Sequence, residues 1–335
     1  MILVTGGTGL VGSHLLYHLV TENKSVKAIY RKKSDLKKVK RIFSFYTSDF
    51  DIYFQKIEWV LAELNDIPSL KKAFLNVVKV YHCAAIVSFN SKDYHEMRKI
   101  NIKGTTNIVN LCISNQISKL CYVSSIATIE KSLSKDHITE KNFWNTSIDK
   151  SGYAITKQGA EMEVWRASQE GVDVIIVNPG VIIGSGYWNK GTGNIFSKIY
   201  NGFKYYTNGV TGFVGVKDVV NIMIALMKSD IKNERYILVS ENASFKDVFF
   251  SIADSFNVKR PSKKVTKTLS EIAWRIDLLR SSIFNISPML SKHSARASHN
   301  KKYYSSKKVK IALNYTFEPL SKTIQTTCKH FLKDL

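Results

Sequence analysis

Eight residues near the start of the chain, Thr5-Gly6-Gly7-Thr8-Gly9-Leu10-Val11-Gly12, restrict its fold more than any other stretch. A short β-branched run, Ile2–Val4, precedes them and a segment of helical period, Leu10–Thr21, follows. A strand that passes into a helix through glycines at this spacing has a physical use. Gly6 permits a tight turn, Gly9 lets a phosphate approach the backbone, and Gly12 lets the helix pack closely on the strand. The helix N-terminal amides, carrying about half a positive charge, then face the phosphates. Leu10 and Val11 at that N-terminus join Gly6, Gly9 and Gly12 as expected cofactor contacts. Glycines alone would be weak grounds, because any tight turn can hold two. The strand before and the helix after make the reading specific.

Through residue 180 the chain alternates β-branched runs with longer helical segments. Ile2–Val4, Val26–Tyr30, Trp59–Leu61, Val77–Tyr81, Lys119–Val123 and Val172–Val177 read as strands. Leu10–Thr21, Ile67–Phe74, His95–Ser114 and Tyr153–Gln169 read as the helices between them. This repetition predicts an α/β fold, a Rossmann-type doubly wound parallel sheet. After Asn178, glycines at 184, 186, 191 and 193 mark a loop-rich segment. A helix near Val216–Met227 and a strand near Arg235–Val239 follow. The expected division is a dinucleotide-binding domain over 1–180, to which 212–242 returns, and a smaller, mainly helical substrate lobe from 181–211 and 243–335. The 335 residues, 44% of them apolar, suffice for both cores.

The end of the second strand bears on the choice of nicotinamide cofactor. NAD-binding folds place an acid about 20 residues after the loop, where it accepts bonds from the ribose hydroxyls. Here the region reads Tyr30-Arg31-Lys32-Lys33, with no acid before Asp35. A guanidinium binds a 2′-phosphate in a charge-assisted, bidentate way that an acid would oppose. NADP is therefore expected in preference to NAD, with Arg31 the main contact and Lys32 its neighbour. The bland alternative is that Arg31 is one more surface charge on a basic protein.

Tyr153-Ala154-Ile155-Thr156-Lys157 sets a phenol and an ammonium four residues apart, on one face of a helix. A free phenol titrates near ~10, and a neighbouring ammonium brings it toward the neutral range. Tyr153 is then the proton-exchanging group, and Lys157 lowers its pKa and holds the nicotinamide ribose. Two serines, Ser124 and Ser125, close the strand Lys119–Val123, at the sheet edge where ligands sit in open α/β folds. Ser125 is assigned as the hydroxyl that polarises a substrate carbonyl, with Ser124 as its rival. A Tyr–Lys pair alone is common on ordinary helices; in this order behind the glycine loop and the serines it becomes specific.

These residues resemble the extended short-chain dehydrogenase/reductase family, of epimerase/dehydratase type, over nearly the whole chain. Ala62-Glu63-Leu64-Asn65-Asp66 is similar to the family's adenine-flanking stretch, which implies Glu63 and Leu64 as contacts; Glu63 replaces the usual Asp. Tyr81-His82-Cys83-Ala84-Ala85 is similar to the strand that runs beside the cofactor, implying Ala84 and Ala85. Asn101-Ile102-Lys103-Gly104-Thr105 resembles the segment whose Asn supports the catalytic helix and proton relay, so Asn101 joins the catalytic set. Asn178-Pro179-Gly180-Val181 resembles the segment at the nicotinamide amide, implying Pro179 and Val181, with Asn178 where Arg is frequent. Within the family, Ile29-Tyr30-Arg31, 303–308 and 314–320 are most like the dihydroflavonol 4-reductase and 3β-hydroxysteroid dehydrogenase branch. That likeness implies an NADP-dependent carbonyl reductase or alcohol dehydrogenase acting on a medium-sized alicyclic, aromatic or lipid-like small molecule. The alternatives are a sugar-nucleotide epimerase or dehydratase of the same family and a non-catalytic NADP-sensing scaffold.

The net charge is +22, and residues 257–310 hold 14 Lys/Arg against 2 acids, +12 of that total. Stacking aromatics are not interleaved with these charges, and no nucleic-acid module is recognisable, so no nucleic-acid partner is expected. Leu269, Ile272, Ala273, Ile276, Leu279 and Ile283 recur at helical spacing with Arg275 and Arg280 nearby and Pro288 beyond. The expectation is that this stripe packs within the lobe or lines the substrate pocket, with peripheral contact to a membrane's inner face as the alternative. Trp188, Phe196, Tyr200, Phe203, Tyr205 and Tyr206 cluster where substrate is expected, and some should line the pocket. His82, at a strand end, reads as structural, and the eight histidines show no metal spacing. Cys83, Cys112, Cys121 and Cys328 lack a CxxC pattern and read as reduced thiols. The glycine loop begins too early for a charged leader, and no run approaches ~18 apolar residues, so a cytoplasmic location is expected; the family resemblance implies a monomer or a homodimer.

Overall fold

Strands that are apolar at nearly every position are strands buried on both faces. The computed structural model describes residues 1–130, 137–145, 149–284 and 290–335, and in it both faces are covered. The strands are β1 (Ile2–Thr5), β2 (Val26–Tyr30), β3 (Ile57–Leu61), β4 (Lys79–His82), β5 (Lys119–Val123) and β6 (Asp173–Pro179). They continue with β7 (Val181–Ile183), β8 (Tyr205–Tyr206), β9 (Val210–Gly215), β10 (Glu234–Leu238), β11 (Glu241–Ser244) and β12 (Lys263–Lys264). Seven form one sheet in the order β10-β6-β5-β4-β1-β2-β3, every neighbouring pair parallel. The order reverses between β1 and β4, which opens a crevice at the C-terminal ends of the strands, the usual ligand position in doubly wound folds.

The helices of the sheet domain are α1 (Leu10–Thr21), α2 (Leu36–Phe43), α3 (Phe50–Gln55), α4 (Ile67–Ala73), α5 (Tyr94–Met97), α6 (Gly104–Ser114) and α7 (Gly152–Gln169). Then come α8 (Gly193–Tyr200), α9 (Val216–Lys228), α10 (Phe245–Ser255), α11 (Lys267–Ile283), α12 (Lys292–Ala297), α13 (Lys307–Leu313) and α14 (Leu320–Lys333). Successive strand residues alternate between two cores. Val4, Cys121, Val123, Ile175 and Val177 join α1 and α9 on one side. Leu3, Leu120, Tyr122, Val174 and Ile176 join α4, α6 and α7 on the other. All four cysteines are free, Cys83 partly buried and the others buried. The α13 residue Val309, with Phe317 after it, belongs to the first core.

The helix expected over His95–Ser114 is not continuous. α5 passes into a π-helical turn, Arg98–Lys103, before α6 resumes. Gly104 follows the turn because a Cβ there would lie 2.8 Å from the Leu64 side chain, too close for two carbons. Such π turns concentrate at functional sites, and Asn101 sits inside this one.

A second, small sheet, β11-β9-β7, lies between the first core, which takes Val214, and a third core of Phe196, Ile199, Phe213, Ile252, Phe256, Ile324 and Phe331. Three members of the aromatic cluster serve this core. Phe196 is fully buried in that core and Trp188 and Tyr200 pack against it, with Trp188 and Tyr200 each edge-on or tilted to Phe331. Their contact area goes into holding α8, α10 and α14 together. The apolar stripe on α11 does not pack within the lobe: Ile276 and Leu279 are 60% and 64% exposed. Pro288 lies outside the described residues.

Candidate active site

The glycine loop has the shape its spacing predicts. Gly6 adopts φ +68°, and a Cβ on it would sit 2.6 Å from the Ala84 backbone nitrogen. Gly12 leaves still less room: a Cβ would lie 2.2 Å from the Gly6 carbonyl oxygen, so the helix meets the turn backbone to backbone. A Cβ on Gly9 would meet only the Gly6 carbonyl, at 3.3 Å, leaving the loop's outer side bare. Gly9 caps α1 without a side chain. Free amides and a bare backbone at a helix start form a cradle that fits a dinucleotide pyrophosphate. The Tyr187 hydroxyl, a residue that sequence reasoning did not single out, donates to the Thr8 carbonyl at 2.7 Å and ties the lobe to this loop.

Arg31 and Lys32 are exposed beyond the end of β2. Ser34 links them to the glycine loop. Its hydroxyl accepts from the Arg31 amide at 3.0 Å and meets the Thr8 hydroxyl at 3.4 Å. The nearest acid, Asp35, accepts from the Lys37 amide and so caps α2. Its carboxylate is committed away from the strand end. Glu63 is exposed after β3, while Leu64 is buried and its carbonyl accepts from Asn107 at 2.8 Å. Ala84 and Ala85 are half-buried beside Gly6, Pro179 ends β6 in a buried position, and Val181 opens β7 half-buried.

Beside this cradle Ser125, Tyr153 and Lys157 converge. Ser151 caps α7 by accepting from the Ala154 amide, which fixes where the helix starts and how Tyr153 enters it. The Ser125 oxygen accepts from the Ala127 amide at 3.1 Å, and its hydroxyl is free to reach the Tyr153 phenol, whose ionised form it favours. Burial outweighs that effect and holds the Tyr153 pKa above its ordinary value. The expected lowering by Lys157 is not seen. Lys157 is 1% exposed; burial pulls its own pKa down to about 7, opposed by Glu161. Its Nζ donates to the Val123 carbonyl at 2.7 Å and lies 4.2 Å from the centre of the Tyr122 ring.

The two serines separate cleanly. Ser124 is 3% exposed and donates to Glu161 Oε2 at 2.5 Å. The same oxygen accepts from Thr128 at 2.9 Å and Asn178 at 3.0 Å, and Arg235 approaches Oε1 at 3.4 Å. Glu161 stands one turn beyond Lys157, so Tyr153, Lys157 and Glu161 share a helix face; the i,i+4,i+8 spacing was the available sequence signal. Ser124 thus belongs to a buried network that fixes the end of β5, and Ser125 is the serine that faces Tyr153.

Asn101 makes its bonds elsewhere. Its Oδ1 accepts from the Ile86 amide at 2.8 Å, and its Nδ2 donates to the Ile86 carbonyl at 3.0 Å and to Thr156 at 3.1 Å. Its side chain joins the segment after β4 to α7, in keeping with the support for the active-site helix that the resemblance implies. His82 is structural too. The Thr105 hydroxyl donates to the Asn101 carbonyl at 2.6 Å, so it accepts from His82 Nε2 at 2.9 Å, and Nδ1 accepts from Thr5 at 2.6 Å. Burial holds this imidazole neutral, its pKa lowered to about 3. Among the described residues no group of His, Cys, Asp and Glu could hold a metal ion.

Comparison with known proteins agrees with this geometry. The chain is 26% identical over 305 residues to sterol demethylase protein B of Methylococcus capsulatus, covering 88% of this chain and 87% of that protein. It is 25% identical over 260 residues to dihydroflavonol 4-reductase of Dianthus caryophyllus, covering 74% and 71%. UDP-glucose 4-epimerase of Thermotoga maritima superposes with a TM-score of 0.79 at 17% identity, covering 99% of each chain, a likeness of fold. The family model described as male sterility protein matches residues 4–228. The chain therefore belongs to that NAD-binding family, within the extended short-chain dehydrogenases/reductases, and is an NAD(P)-dependent oxidoreductase.

Proposed function

We propose that the chain is an NADPH-dependent carbonyl reductase acting on a medium-sized alicyclic, aromatic or lipid-like ketone or aldehyde. The observation that carries this reading is the convergence of Ser125, Tyr153 and Lys157 at the crevice edge beside the glycine cradle. A reduced nicotinamide, when bound, supplies the hydride. Ser125, whose oxygen is already engaged by the Ala127 amide, donates its proton as a hydrogen bond to the substrate oxygen. Tyr153, kept protonated by burial, delivers a proton to that oxygen as negative charge builds there. Lys157, when charged, stabilises the phenolate that remains.

The raised phenol pKa supports the reducing direction, in which Tyr153 must start as an acid. Arg31 and Lys32, with Ser34 between them and the glycine loop and Asp35 committed as a cap, support NADPH over NADH. The reductase names among the relatives agree with this reading. Steady-state assays with NADPH or NADH against a panel of cyclic ketones, aromatic aldehydes and long-chain carbonyls test it. Alcohol formed one-for-one with NADPH consumed is the expected result. An epimerised product without net cofactor consumption would replace the proposal with the epimerase reading.

A further inference from the structure

Helix α11 presents its polar side to the protein and its apolar side to solvent. Facing inward, the Ser270 hydroxyl meets His299 Nε2 at 2.7 Å, Glu271 accepts from Arg296 at 2.6 Å, and Asp277 accepts from the Leu290 amide at 2.8 Å. Ser270 and Ser281 are 5% and 1% exposed. Facing outward, Leu269, Ile272, Ile276, Leu279 and Ile283 are 48% to 74% exposed, and Phe284, 68% exposed, extends the row. At ~100° per residue the five aliphatic residues fall within an arc of about 80°. Arg275 and Arg280 stand on its two edges.

A row of large apolar side chains in water favours whatever covers it. Charge decides among the candidate covers. The segment 257–310 around the helix carries 14 Lys/Arg and 2 acids, and Lys263, Lys264 and Lys267 are exposed without a carboxylate partner among the described residues. Two copies of such a lobe repel each other face to face, whereas an anionic lipid surface attracts it. A narrow apolar stripe edged by arginines also suits shallow insertion at a headgroup boundary. No described helix is long and apolar enough to cross a membrane, so the contact would be peripheral. We propose that α11 docks this protein on an anionic membrane surface. The neighbouring helix α12 is tied through Lys292 to Asp149, at 3.1 Å, just before the segment that enters α7, so a docked lipid face lies on the lobe that borders the active site.

The experiment is flotation of the full chain with vesicles of phosphatidylcholine alone or with about 30% phosphatidylglycerol, at low and high salt. The expected result is binding to the anionic vesicles at least about tenfold stronger than to neutral ones, lost at high salt. Ile276→Glu with Leu279→Glu should weaken that binding by about tenfold or more while thermal stability holds, since both positions are exposed. Ile272→Ser with Leu279→Ser should act in the same direction without added negative charge. Absence of vesicle binding, equal binding to both vesicle types, or binding unaffected by both variants would overturn the proposal. A solution dimer of the wild type that these variants dissociate would assign the stripe to a second copy instead.

Discussion

Replacing Ser124 and Ser125 with alanine, one at a time, should separate fold from chemistry at adjacent positions. Ser124→Ala removes the 2.5 Å bond to Glu161. A hydrogen bond to a buried charged acceptor contributes about 1.5–3 kcal/mol. Glu161 keeps Thr128, Asn178 and Arg235, so the loss should fall near the lower end, about 2 kcal/mol. Ser125→Ala removes a cap on a short turn, worth about 1 kcal/mol. It also removes the hydroxyl placed to stabilise charge on the substrate oxygen, which should lower kcat by about 100- to 1000-fold, or roughly 2.7–4 kcal/mol of barrier. Urea unfolding measures the first effect and NADPH oxidation the second. Ser124→Ala should be the less stable of the two yet turn over within about fivefold of wild type. If Ser124→Ala instead loses turnover about 100-fold while Ser125→Ala is near normal, the assignment of the two serines is reversed.

Lys157 has a folded-state pKa near 7, far below that of a free lysine. Its charge is lost as pH rises through about 7, so kcat/KM for reduction should fall above that point; a flat profile to about pH 9 would contradict the role of its ammonium. His82 and His14 are buried neutral, with pKa values lowered to about 3 and about 4 from 6.5. Unfolding takes up protons between those values, so this stability is full above pH 6.5 and is lost as pH falls through about 4 for His14 and toward about 3 for His82. Urea midpoints across that window should drop steeply in the wild type and less in His82→Asn; equal slopes would put the linkage elsewhere. Arg31→Asp should move cofactor preference toward NADH by about tenfold or more, and an unchanged ratio in competitive binding would remove Arg31 from the 2′-phosphate site.

Local rules made parts of this molecule legible from sequence alone. The β1 turn, the bounds of α1 and the placing of Tyr153 and Lys157 on one helix face all follow from glycine sterics, capping and helical period. What stayed hidden depends on contacts distant in sequence. The π turn at Asn101 is followed by a glycine whose need is set by Leu64, forty residues away. The division of labour between Ser124 and Ser125 depends on Glu161, visible as an i+8 acid but not as their partner. Which of the clustered aromatics serve a core was not legible, because aromatic clusters serve pockets and cores alike, and only α10 and α14 packed against Trp188, Phe196 and Tyr200 show it for these three. The period of α11 predicted an apolar face, but period alone could not say that this face would point outward.

The most direct test of carbonyl reduction at the Ser125–Tyr153–Lys157 site is a paired measurement on Tyr153→Phe: NADPH affinity by calorimetry and turnover of any carbonyl the wild type reduces. The predicted result is NADPH binding within about threefold of wild type with turnover down by about 100-fold or more, because the proton donor is gone while the cradle is untouched. Turnover that survives in Tyr153→Phe would contradict the account and place the chemistry elsewhere in the crevice.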